Sequence, residues 1–239
     1  MLDRSHLIVA LACLLGLAGC VDDDVSVFIQ DNVAPEVSDD GCVYDANGEP
    51  LARGILNVDS GASYFVYPRI QNQLQMRATS GRAEPNGVHI ERAEVTIRDL
   101  AGNAIAFDGL PNPFSVPTSA YIPPASDPTQ GGVGVASVEA IPADYGFALG
   151  GLVGTGTSVI VDVKLIGETN GTIDIDTGDW SWPVQLCGGS CLFSCSTEDV
   201  AASCNPGQDS VTRVQCCMTD AECASGSCTG AVGGLTFCI

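Results

Sequence analysis

The sequence predicts a mainly β protein: an immunoglobulin-like Greek-key β-sandwich followed by a small disulfide-rich module. Three observations carry that prediction. Short runs of β-forming residues with alternating polarity fill the stretch from Cys42 to Leu186. Turn dipeptides separate those runs, and nothing between them supports a long helix. After Leu186 the composition changes, with nine cysteines in the last 53 residues.

Seven runs look like strands: 62–70, 87–99, 104–107, 134–141, 157–167, 171–175 and 180–186. The clearest is 157–167, where Val159, Val161, Val163 and Leu165 alternate with Ile160, Asp162, Lys164 and Ile166. Period two with β-branched residues is the pattern of a strand buried on one face. Ile90, Ala93, Val95 and Ile97 give a less regular alternation. Asn47-Gly48, Asn86-Gly87, Gly102-Asn103, Asn170-Gly171 and the proline-rich stretch from Pro111 to Pro128 supply the turns. Asn-Gly within GETNGT (167–172) suits a type I′ hairpin. A short turn of helix fits after Pro142. About eight short strands in roughly 145 residues fit a Greek-key sandwich, with a small barrel as the alternative.

The stretch from Cys187 to Ile239 holds few large apolar residues. A core that small rarely supplies more than about 3–5 kcal/mol, so disulfides must hold it. Ten cysteines lie downstream of Cys20: Cys42, Cys187, Cys191, Cys195, Cys204, Cys216, Cys217, Cys223, Cys228 and Cys238. An even count in an exported chain implies disulfides. Zinc is the competing use, but there are no paired C-x-x-C knuckles and only His89 lies beyond the N-terminal segment. Cys42 stands apart from the cluster, so it is expected to pair across the chain, with Cys187, Cys191 or Cys195 at the far end of the sandwich.

The N-terminus reads MLDRSHLIVALACLLGLAGC. Arg4 precedes an unbroken apolar run from Leu7 to Ala18, too short for a bilayer-spanning helix and right for a signal-peptide core. The run closes on Leu17-Ala18-Gly19-Cys20, which resembles a bacterial lipobox. That resemblance implies cleavage before Cys20 and acyl chains on it, and two or more chains anchor firmly. The alternatives are an ordinary secretory signal and an uncleaved anchor. Residues 20–41 carry seven carboxylates and no basic residue, so they are expected to form an acidic flexible tether, with docking of the short apolar patch Val25 to Ile29 as a strand the alternative. The expected organisation is therefore signal peptide 1–19, tether 20–41, sandwich 42–186 and cysteine-rich module 187–239.

CCMTDAECASGSC (216–228) resembles small extracellular modules of the Dickkopf and colipase sort. YFVYPRIQNQL (64–74) and DWSWPVQLCGGSC (179–191) resemble surface lipoproteins of myxobacteria and their relatives. The resemblance implies a lipid-anchored protein of the bacterial cell envelope, at the outer membrane, and it implies no known activity.

The formal net charge is −20, with Lys164 the only lysine. Such a surface excludes nucleic acid as a partner, because binding needs cations facing phosphates. LNVDSGAS (56–63) resembles the active-site loop of aspartic proteases, and Asp176-Thr177-Gly178 offers a second triplet. A working pair would set Asp59 and Asp176 side by side sharing a proton. Both triplets also make ordinary turns, since Asp bonds its own backbone and Gly takes positive φ. Turns are the expectation here, because the chain is half the length of a two-lobed protease and Asp179 departs from the second motif. Asp174, Asp176 and Asp179 are candidate calcium ligands, although the alternation reads equally as a solvated strand face. His89 lacks a nucleophile motif beside it. Trp180 and Trp182 share one strand face and suit core packing, or else a carbohydrate platform. The expectation is a non-enzymatic, lipid-anchored surface protein with a structural or binding role and no cofactor or metal. Its partners would be the membrane, through its acyl chains, and a protein or glycan. An acid protease using Asp59 and Asp176, and a carbohydrate- or solute-binding module, are the rival classes.

Overall fold

The structure, a computed structural model, describes residues 26–39, 41–77, 83–127, 129–154, 156–196, 203–232 and 234–238. The signal segment and Cys20 lie outside the described residues. The chain is mainly β, as expected. In order it forms β1 (Val27–Val33), β2 (Glu36–Ser38), β3 (Gly41–Val43), β4 (Pro50–Leu51), β5 (Gly54–Asn57), β6 (Tyr64–Val66), β7 (Pro68–Asn72), β8 (Val88–Arg98), β9 (Phe114–Ile122), β10 (Gly132–Val135) and β11 (Val138–Ile141). After helix α1 (Ala143–Val153) come β12 (Ser158–Thr169), β13 (Asp174–Asp176), β14 (Trp180–Cys187), β15 (Phe193–Ser196), β16 (Thr212–Gln215), β17 (Gly230–Val232) and β18 (Leu235–Phe237).

The largest sheet runs β5-β14-β12-β8-β9, and β13 continues the row of β14 along β12. A second sheet runs β10-β7-β1-β4, and β11 pairs with β6. Their inner faces share one core. Val159, Val161, Val163 and Leu165 of β12, Val95 and Ile97 of β8, Ile70 of β7 and Val27 of β1 all belong to it. The alternation read in 157–167 thus holds residue for residue. The weaker alternation of β8 has a physical cause. Its register slips against β9 between Ile90 and Arg92, and that of β12 slips between Ile166 and Gly167. A bulge adds one residue, so the inward positions step from Ile90 to Ala93. Gly167 permits it: a Cβ there would meet the His89 carbonyl oxygen at 1.9 Å.

Several sequence boundaries move. From Val27 onward the expected acidic tether is no tether. Val27, Ile29 and Val33 are buried in β1, which lies between β7 and β4. The stretch VFIQDNV carries a single Asp, and Asp31 pairs with Arg69 of β7, so charge repulsion does not keep it extended in water. The runs 62–70 and 134–141, each read as one strand, both bend and change sheet. The β6–β11 pair gives way to β7–β10 at Tyr67 and at Ala136-Ser137. Strands that switch sheets in this way build the corners of sandwiches. The proline-rich stretch is not all turn, because residues 114–122 form β9. Pro117 is tolerated there because β9 is the last strand of its sheet path. The hairpin at GETNGT forms as β12–β13, but with a three-residue loop. Thr169 donates its N–H to Ile173 O at 2.9 Å, and Thr172 takes φ 62°, so the left-handed position falls on Thr172 and not on Gly171.

All ten cysteines downstream of Cys20 are paired: Cys42–Cys204, Cys187–Cys191, Cys195–Cys216, Cys217–Cys228 and Cys223–Cys238. Cys42 was expected to reach Cys187, Cys191 or Cys195, and it joins Cys204 instead. Cys187 and Cys191 close a loop of their own, and Cys195 is taken by Cys216 across the parallel β15–β16 pair. Cys187 ends β14 beside β5, whereas Cys42 lies on the β2–β3 ribbon.

Candidate functional site

The loop LNVDSGAS is a turn. Asn57 organises it: its Oδ1 accepts the Asp59 N–H at 3.0 Å, and its carbonyl accepts the Ser60 hydroxyl at 2.7 Å. Gly61 follows at φ 67°. Asp59 is exposed, and its Oδ2 accepts the Gly189 N–H at 2.6 Å, steadying the Cys187–Cys191 loop. Asp176 is also exposed, and its Oδ1 accepts the Gly178 N–H at 2.9 Å. β14 runs between the two triplets. Asn57 sits opposite Cys187 at one end of it, while Asp176 pairs with Ile166 beyond Trp180 at the other. Eight residues at about 3.3 Å each put roughly 25 Å between the two carboxylates. No shared proton is possible, so the protease geometry is absent.

The remaining candidates disperse as well. Asp174, Asp176 and Asp179 lie along an exposed edge, and Lys164 Nζ stands 3.4 Å from Asp179 Oδ1. Among the described residues the one cluster close enough to grip a metal is Cys217, Cys223 and Cys238. Their sulfurs are all in disulfides and offer no thiolate. His89 is exposed, meets Asn170 Oδ1 at 2.9 Å and packs on Tyr121. Trp180 and Trp182 stack at 5.3 Å, but Trp182 is only 5% exposed. Core packing, not an open platform, is its role.

No local pattern in the sequence announces the polar centre that does form. Residues 205–210, assigned to the cysteine-rich module, are built into the sandwich. Their backbone runs along the free edge of β5: Asn57 donates its N–H to Gly207 O at 2.8 Å, and Asp209 donates its N–H to Ile55 O at 2.9 Å. The Gln208 side chain, 2% exposed, then pairs with β6 as a strand would. Its Oε1 accepts the Phe65 N–H at 2.8 Å and its Nε2 donates to Phe65 O at 2.9 Å. One residue thus joins the edges of two sheets.

Asp209 completes the joint. It adopts φ 58° and turns its carboxylate inward. Oδ1 accepts the Ile55 N–H at 2.8 Å and the Tyr64 hydroxyl at 3.2 Å, and Oδ2 accepts Gln208 Nε2 at 3.1 Å. Tyr64 in turn accepts the Trp182 indole N–H at 2.9 Å. Gly54 makes room for this, since a Cβ there would stand 2.1 Å from the Tyr64 hydroxyl. Burial pushes the Asp209 carboxyl above its usual range, against the opposing hydrogen bonds from Ile55, Gln208 and Tyr64. Burial, then the neighbouring Asp209, push the Tyr64 phenol well above its own. Tyr67 and Asn205 add a further pair, with Asn205 Nδ2 donating to Tyr67 Oη at 2.9 Å.

A cleft of about 290 Å³ opens beside the joint, between Ala34, Pro35 and Leu51 on one side and Cys204, Asp209 and Arg213 on the other. Every oxygen of Asp209 is engaged internally, so the carboxylate braces the wall and presents no free acid to the cleft. No protein family, curated protein or solved structure matches this chain.

Proposed function

We propose that the chain is a lipid-anchored protein of a bacterial cell envelope, held at the outer membrane through acyl chains on Cys20. Its β-sandwich and cysteine-rich segment form one braced body with a structural or binding role. The observation that carries the reading is the contrast in cysteine use. Every cysteine downstream is in a disulfide, which belongs to an oxidising compartment. Cys20 alone follows Leu17-Ala18-Gly19 at the end of an apolar run. A thiol left over from an even disulfide set, at the site where acylation requires a cysteine, is accounted for by lipid. No helix among the described residues is long and apolar enough to cross a membrane.

Mass spectrometry of the purified N-terminal peptide tests this. The expected product begins at Cys20 and carries acyl mass, and Cys20→Ala moves the protein from the membrane to the soluble fraction. An unmodified Cys20, or a Cys20→Ala chain that stays on the membrane, overturns it.

A further inference from the structure

The tether, read from sequence, was long enough to lift the body roughly 70 Å from a surface, at about 3.3–3.6 Å per residue. Burial of β1 shortens it sharply. Ser26 is already fixed to the sandwich, since its carbonyl accepts the Gln73 N–H at 2.8 Å. Cys20 and Ser26 are six residues apart, a step that spans at most about 22 Å when taut.

The two ends of the sandwich differ. Around Ser26 lie Gln73 to Arg77 and the β12–β13 loop, with Ser26, Val27, Leu74, Arg77, Ile173 and Asp176 lining one shared cleft. The β12 strand leads away from this end: Glu168 pairs with Asp174 here, and Ser158 pairs with Gln185 at the other. Its twelve residues cover roughly 35–40 Å at about 3.3 Å each. At that far end sit Cys187, the Asp59 turn, the Gln208–Asp209 joint and the cysteine-rich segment. Helix α1 is there too, because Gly150 packs on Val58.

We infer that the end of the sandwich bearing Ser26, Met76 and Ile173 rests on the lipid surface, with the cysteine-rich segment and α1 presented outward. The inference rests on the lipid-anchored reading. The lengths decide it. An inverted body would need Ser26 to stand at least a β12 length above the lipid, and the tether is too short to allow that. A chain of formal net charge −20 is also repelled by anionic headgroups, which favours standing on a small end over lying along a side. The small end has apolar side chains to place at the interface, with Ile173 65% and Met76 54% exposed. Phe147 of α1 and Met218, 81% and 92% exposed, face away.

The test uses the acylated full-length chain on phosphatidylethanolamine–phosphatidylglycerol vesicles. A photoreactive benzoylphenylalanine replaces Ile173, Met76, Phe147 or Met218, one at a time. All four side chains are exposed, so each variant is expected to fold. Lipid adducts at Ile173 and Met76, with none above background at Phe147 and Met218, are the expected result. Adducts at Phe147 or Met218 equal to those at Ile173 overturn the orientation and leave the anchor standing. A parent chain that does not float with the vesicles overturns both.

Discussion

Gln208→Ala is the perturbation that bears hardest on the joint between the two sheets. The Gln208 amide satisfies both the N–H and the C=O of Phe65, at 2.8 and 2.9 Å, in a position with 2% exposure. Alanine removes both partners at once and leaves two backbone groups unmet. Each buried unsatisfied group costs about 1–3 kcal/mol, and water entering the vacated space holds the total near the lower half of that sum, about 2–4 kcal/mol. At roughly 2–4 °C per kcal/mol for a chain of this size, the melting temperature falls by about 5–15 °C. The assay is thermal or urea denaturation with disulfides intact, beside Gln215→Ala as a control. The Gln215 side chain is exposed and donates to Glu222 O at 3.1 Å, so its loss stays within about 0.5 kcal/mol. A Gln208→Ala protein as stable as the control refutes the claim that residues 205–210 hold the sheets together.

Three further outcomes follow. Asp209 has a folded pKa raised by burial, so the folded state holds its proton at a higher pH than the unfolded chain does. Its contribution to stability therefore falls as pH rises from about 3.9 through that raised value; Asp209→Asn flattens that part of the stability–pH profile, and an unchanged slope contradicts the assignment. Gly167→Ala forces a Cβ onto the His89 carbonyl at 1.9 Å and costs about 1–3 kcal/mol through backbone displacement, read as a lower urea midpoint. Replacing Cys42 and Cys204 together by Ser opens a closure spanning 162 residues, which in the chain-entropy model removes about 5 kcal/mol, measured against the intact protein under non-reducing conditions.

Local patterns carried the fold and failed at the site for definite reasons. The alternation in 157–167 is set by one core face and is visible in any window of that length. The Asp59 and Asp176 triplets read as turns because their bonds are local, Asn57 to Asp59 and Asp176 to Gly178. The sheet changes at Tyr67 and Ala136 leave no such trace, since each half of the run still looks like a strand. The start of β1 shows in the sequence as the apolar patch Val25 to Ile29, but the flanking acids dominate the average over 21–41 and favour the tether reading. Gln208 and Asp209 bond to Phe65, Ile55 and Tyr64, up to 154 residues away. A polar pair inside NPGQDS carries no period, so its burial is legible only once the topology brings those strands to it. Cys42 was recognised as the long-range cysteine, but the pairing depended on the β2–β3 ribbon, which the tether reading did not contain.

The most direct test of this architecture, in which the cysteine-rich segment is stitched into the sandwich and not appended to it, is peptide mapping of the native protein without reduction. The account predicts a cross-linked peptide pair joining Cys42 to Cys204, together with Cys187–Cys191 inside a single fragment. Cys42 recovered free, or joined to Cys187, Cys191 or Cys195, would contradict it.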